Sequence, residues 1–119
     1  MAVSQTISKS FTELEAWKKT RLLKIKIQTL TKTFPSDEKF RLTYQIVRSA
    51  RSVNASIAEG HGRYTFPEQI HFCIIARSSL SETYNHLIDA YDCTYITLGK
   101  LTELKNELNE VEKIFKWIY

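Results

Sequence analysis

The sequence predicts an all-α protein folded as an antiparallel up-down-up-down four-helix bundle, and three observations carry that prediction. Only three Gly and two Pro interrupt the 119 residues, which are otherwise rich in Leu, Ile, Lys and Glu. Apolar residues recur at helical spacing over four long stretches rather than alternating as in a strand. The breakers Pro35, Gly60, Gly62 and Pro67 fall between stretches of about 20–25 residues, which short loops can join into a bundle. A chain of this length forms one domain with a single core. That domain is expected to span residues 1–119, with residues 1–9 as a flexible lead.

Ser10-Phe11-Thr12-Glu13 reads as a capping box, and Pro35 biases Phe34 away from helix, so the first helix is expected at about residues 11–34. Its core face collects Ala16, Trp17, Leu23, Ile27, Leu30 and Phe34. Leu14, Leu22 and Ile25 form a second stripe nearly opposite. A monomeric surface helix needs one stripe, so the second is expected to be a subunit contact.

Ser36 is the expected N-cap of a second helix at about residues 37–60, with Asp37 and Glu38 suiting the positive end of its dipole. At about 100° per residue, Leu42, Ile46, Ala50, Val53 and Ile57 fall on one side. Arg41, Arg48, Arg51, Ser52, Ala55 and Glu59 fall on the other, and small residues such as Ser49, Ala50 and Ser56 let neighbouring helices approach closely.

Thr65-Phe66-Pro67-Glu68 is a further capping box, with proline in the first turn of a third helix expected at about residues 67–92. Ile70, Cys73, Ile74, Leu80, Tyr84, Leu87, Ile88 and Tyr91 are its expected buried side, and Arg77 falls in the middle of them. A buried guanidinium needs a carboxylate, so Arg77 is expected in a structural ion pair with Glu59 or Glu82. The fourth helix, at about residues 97–118, carries the cleanest pattern: Leu101, Leu104, Leu108, Val111, Phe115 and Ile118 alternate spacings of three and four. Ile114, Trp117 and Tyr119 flank that seam and join Leu14, Leu22 and Ile25 as the expected oligomer surface.

Several chemistries are disfavoured. Cys73 and Cys93 match no paired metal spacing and read as reduced thiols. Glu68-Gln69-Ile70-His71 has the spacing used by di-iron bundles, but those sites need two such motifs and two further inward glutamates, and Glu68 is already a cap. No phosphate-binding glycine loop or nucleophile elbow occurs, and no carboxylate pair is expected on a shared face. The expectation is a non-enzymatic protein without metal or cofactor. No apolar run reaches the roughly 20 residues of a membrane span, so a soluble cytoplasmic protein with no membrane partner is expected.

Charge is distributed unevenly. Residues 1–63 hold twelve Lys/Arg against five Asp/Glu, and residues 64–119 hold five against eight, within a net charge of +4. A polyanion would therefore meet the first two helices. Alternatively, the two halves attract each other within the bundle or across an oligomer.

Ser52-Val53-Asn54-Ala55-Ser56-Ile57-Ala58-Glu59-Gly60-His61-Gly62-Arg63 resembles the S-I-P-A-N-I-A-E-G-x-G-R motif of the four-helix-bundle proteins encoded in intervening sequences of 23S ribosomal RNA genes. Phe11-x-x-Leu14-x-x-Trp17, Leu30-Thr31-x-x-Phe34-Pro35 and the run from Ile75 to Glu82 agree, in unchanged order over roughly residues 9–119. Asn54 stands where the family usually has Pro, and Ser56 where it has Asn. Asn54 restores a backbone N–H inside the helix and weakens any kink. The resemblance implies the bundle fold and a homo-oligomer, a pentameric ring. By analogy with the related accessory variability proteins of diversity-generating retroelements, it also implies RNA or DNA as partner. Arg41, Arg48, Arg51 and Arg63 are the expected phosphate contacts. The alternative is an oligomeric protein-interaction scaffold with no nucleic-acid ligand, and the salt dependence of binding separates the two.

Overall fold

The computed structural model describes residues 10–116. It contains four helices, α1 (Glu15–Thr31), α2 (Leu42–His61), α3 (Phe66–Asp92) and α4 (Leu98–Lys116), and no strand among the described residues. Expectations for residues 1–9, Trp117, Ile118 and Tyr119 lie outside the described residues.

Two helix starts differ from the sequence reading. Ser10 Oγ accepts from the Thr12 amide, and the segment it caps is a single 3-10 turn, Phe11–Glu13. Leu14 is then extended, at φ −73° and ψ 133°, before α1 begins at Glu15. The break lets Leu14 pack against the core and sets the Phe11 ring edge-on to Trp17 at 5.4 Å. Ser36–Glu38 likewise forms a 3-10 turn, and α2 starts at Leu42 without a side-chain cap. Glu38 is engaged elsewhere: Tyr95, from the α3–α4 connection, donates its hydroxyl to the Glu38 carboxylate at 2.8 Å. That bond is the main cause pushing the Tyr95 phenol up to about 12.

The Thr65 box is present as expected. Thr65 Oγ1 accepts from the Glu68 amide at 3.3 Å, and the Thr65 amide donates to Glu68 Oε2 at 3.4 Å. At its other end α3 closes with the Tyr95 amide bonded to the Ala90 carbonyl and the Thr94 amide to the Tyr91 carbonyl, a Schellman motif. Thr94 takes the left-handed position at φ 65°, where a β-branched residue is strained. Thr97 Oγ1 accepts the Lys100 amide at 3.1 Å at the start of α4.

The core joins Ala16, Leu23 and Ile27 of α1, Ile46, Ala50, Val53 and Ile57 of α2, and Leu101, Leu104, Leu108, Val111 and Phe115 of α4. The inward face of α3 is not the one its large residues suggest. Ala76, Ser79, Leu80, Thr83, Leu87 and Ala90 are buried, whereas Ile74 and Tyr91 are exposed. Small residues face inward because α2 and α3 lie very close. Ser52 and Ser79 hydroxyls meet at 2.9 Å, Thr83 donates to Ser49 at 2.8 Å, and a Cβ on Gly60 would stand 2.9 Å from Phe72 Cβ. Pairing Ser49 with Thr83 and Ser52 with Ser79 makes the two helices antiparallel.

Asn54 ties α1 to α2. Its amide donates to the Trp17 carbonyl at 3.2 Å and to Thr20 Oγ1 at 2.9 Å, and its carbonyl accepts from Lys24 at 3.3 Å. Both donors and the acceptor are thus used in a buried side chain, as burial requires. Lys26 of α1 reaches across to Glu103 and Glu107 of α4, at 2.5 and 3.1 Å. No helix among the described residues is long and apolar enough to cross a membrane.

Candidate nucleic-acid interface

With one face of α2 in the core, its outer ridge is fixed. Tyr44, Arg48, Arg51 and Ala55 follow at spacings of four, three and four, all exposed, and Arg41 lies one turn before Tyr44. The arginines expected on the surface are there, each oriented by an acceptor within the chain. Arg41 is bonded to the Asp37 carbonyl at 3.2 Å and lies 3.9 Å from its carboxylate. Arg48 donates to Gln45 Oε1 at 3.2 Å and to Glu82 of α3. Arg51 leans the other way, toward α1, where Gln28, with its amide turned to present oxygen, accepts at 2.9 Å. Arg48 and Arg51 therefore straddle the crest of α2.

Arg63 stands apart, past the helix end and about 20 Å from Arg48 at 1.5 Å per residue. It is 3.9 Å from Glu59, and its guanidinium lies over the Phe72 ring at 4.7 Å. The four arginines thus divide into a ridge group of three and a separate loop cation.

Arg77 is exposed, not buried. The burial that demanded an ion pair is absent because α3 is rotated relative to its hydropathy pattern. Glu82 holds Arg48 and accepts from His86 Nε2 at 3.1 Å, and Glu59 faces Arg63.

The expected subunit surface is also divided. Leu22 is 65% exposed and Ile25 43% exposed on α1, but Leu14 and Ile114 pack against the core. Leu14 leaves the stripe because it is extended and not helical. Trp117 and Tyr119 lie outside the described residues.

Two aromatic residues that the sequence reading did not single out belong to this region. Phe40 is 82% exposed and Tyr44 54% exposed, beside Lys39, Arg41 and Arg48. The signal that could have found them is local: Lys39-Phe40-Arg41-Leu42-Thr43-Tyr44 interleaves rings and cations on either side of a helix start.

Elsewhere, a cavity of about 300 Å³ opens at the far end of the bundle, lined by Leu14, Ile57, Gly60, Gln69, Cys73 and Phe115 among others. Burial pushes the Cys73 thiol up, which makes it a poorer nucleophile, and both cysteines are free. Among the described residues, no group of three or more His, Cys, Asp or Glu comes together in a way that could hold a metal.

No curated protein matches the sequence significantly. Among solved structures, the crystal structure of a protein from the S23 ribosomal protein family of Bacteroides thetaiotaomicron is 26% identical, with a TM-score of 0.80, covering 87% of this chain and 93% of that one. The family model described as 23S rRNA-intervening sequence protein matches residues 12–116, the helices and connections described above included. On that match, the chain belongs to the 23S rRNA-intervening sequence protein family.

Proposed function

We propose that the protein is a non-enzymatic, cytoplasmic homo-oligomer, a ring of five by resemblance, that binds nucleic acid, RNA foremost, through the outer ridge of α2. The observation that carries the reading is the set of exposed cations Arg48 and Arg51 on the face of α2 that the bundle leaves open, with Arg41 just before the helix. The family's name, which ties it to intervening sequences of 23S rRNA, supports RNA over DNA. Arg63 contributes as a more distant contact.

The intramolecular partners do not oppose this. Arg48 and Glu82 are 44% and 36% exposed, and a pair so exposed is worth at most about 1 kcal/mol. A guanidinium has five N–H donors, so it can hold Glu82 and Gln45 and still offer donors to a phosphate. Glu82 and Gln28 then act as supports that hold Arg48 and Arg51 on either side of the ridge. Part of the charge asymmetry is consumed by Lys26 with Glu103 and Glu107, yet Lys26 lies on α1, away from the ridge.

The test is a titration of the assembled protein with RNA at several salt concentrations. Phosphate-driven binding should weaken steeply with salt, and R48A/R51A should make the slope shallower by about 1 or more. Absence of binding at low salt, or a slope untouched in an intact assembly, removes the reading.

A second reading, an oligomeric scaffold without nucleic acid, is favoured by the exposed Leu22 and Ile25. L22D/I25D should dissociate the assembly on either reading. On the scaffold reading, no nucleic acid binds and apolar protein contacts depend little on salt.

A further inference from the structure

We propose that the α2 ridge and the turn before it are built for a single-stranded polynucleotide, with unpaired bases stacked on Phe40 and Tyr44 beside the phosphate-binding cations. This rests on the nucleic-acid reading above and narrows it to one class of strand.

A surface that met only a phosphate backbone would need cations alone. Here two exposed aromatic side chains interrupt the cations, Phe40 at 82% and Tyr44 at 54%. Arg41, Tyr44, Arg48 and Arg51 follow at spacings of three, four and three, so the Tyr44 ring stands between guanidinium groups along the ridge. Arg41 to Arg51 spans about 15 Å, the length of about four stacked nucleotides. Phe40 precedes the helix, flanked by Lys39 and Arg41, and the Lys39 ammonium lies 5.4 Å from its ring centroid.

Alternating rings and cations are the means by which single strands are held without reading their sequence. A duplex cannot use the rings. Its bases are already stacked on one another, and its grooves do not admit the π-faces of two side chains on a convex helix. A second copy of this chain is a poorer occupant. A two-fold contact here would bring Lys39, Arg41 and Arg48 of both copies together, whereas a polyanion neutralises them. The aliphatic Leu22 and Ile25 on α1 offer an uncrowded surface for self-association instead.

The experiment titrates the full chain with a short unstructured RNA, DNA of the same sequence and the blunt RNA duplex, following anisotropy at several salt concentrations. A parallel RNA carries a fluorescent adenine analogue that is quenched on stacking. Both single strands should bind about tenfold or more tightly than the duplex, with quenching of the analogue. F40A/Y44A should weaken single-strand binding by about 5-fold to 100-fold at unchanged salt slope, because a stacked ring releases no counterion. F40Y/Y44F keeps both rings and should bind like the unaltered protein. R48A/R51A should also weaken binding but flatten the slope.

Equal affinity for single strand and duplex, or full single-strand affinity in F40A/Y44A with assembly intact, overturns the inference. Salt-dependent binding that survives in either case leaves the broader reading standing. If F40A/Y44A instead changes the mass of the assembly by light scattering, the rings are a contact between copies and the inference falls. If no nucleic acid binds even at low salt, both fall together.

Discussion

Where α2 meets α3, the contact is made by small groups: Ser49, Ser52 and Gly60 on one helix, Ala76, Ser79 and Thr83 on the other. Where α1 meets α4, large aliphatic side chains fill the space, Leu23 and Ile27 sharing the core with Leu104, Leu108 and Val111, and Lys26 bridges to α4 at the rim. The first contact depends on side-chain atoms being absent, so that backbones can approach and hydroxyls can meet. The second depends on atoms being present. One bundle is therefore sensitive to enlargement on one side and to truncation on the other.

The largest effect should come from truncation in the leucine seam. Leu104 is fully buried, and L104A should cost about 2–5 kcal/mol in denaturant unfolding, through lost transfer energy and the cavity left behind. A loss below about 1 kcal/mol would mean that the seam collapses to fill the gap.

Enlargement should be felt next at Gly60. A Cβ there would meet Phe72 Cβ at 2.9 Å, so G60A should lose about 1–3 kcal/mol, as overpacking does. Gly62, two residues on, is the control. Its added Cβ would meet only the Glu59 carbonyl, at 3.5 Å, so G62A should stay within about 0.5 kcal/mol. Equal melting temperatures for the two variants would show that α2 and α3 have room to separate.

The hydroxyl pair sharpens the same contrast. Thr83 donates to both Ser49 Oγ and the Ser79 carbonyl, at 2.8 Å each. S49A and T83V should each cost about 0.5–1.5 kcal/mol, and the double variant less than their sum, because removing both partners leaves no orphaned group. Strict additivity in the cycle would mean that the hydroxyls do not interact.

Smallest of all should be K26M at the rim of α1 and α4. Hydrogen bonds donated to Glu103, then Glu107, hold Lys26 above its ordinary value of 10.5, and Lys26, then Lys100, holds Glu103 below its ordinary 4.5. The raised lysine contributes stability that fades as pH climbs through its folded pKa. The lowered carboxylate contributes stability that fades as pH falls through its own. The pair therefore acts between those limits, neutral pH included. Both groups are well exposed, so salt screens them, and the small difference in melting temperature between K26M and the unaltered protein should shrink further as salt is added.

The same contrast explains what could be read from the amino-acid order. The α4 seam and the core stripes of α1 and α2 were legible because large apolar residues mark them at helical spacing. The α3 face was misread because Ala76, Ser79, Thr83 and Ala90 are small, while the bulkier Ile74 and Tyr91 face outward. Arg77 followed that error into the core. Helix starts failed where a cap-like pattern closed only one 3-10 turn, at Ser10 and at Ser36. The ridge arginines were legible as a face of α2. Their supports, Glu82 and Gln28, were not, since both lie on other helices and no local pattern announces a contact across 34 or 23 positions.

The tightness of the α2–α3 contact also bears on how the bundle assembles in time. Four residues join these helices, against ten between α1 and α2 and five between α3 and α4. Closing so short a connection costs little loop entropy, and its reward is immediate because the facing groups need no large side chains to interlock. The hairpin is thus the natural nucleus, onto which α1 and α4 condense. Stopped-flow measurements on the variants above should show G60A and S49A slowing refolding, while L104A mainly hastens unfolding.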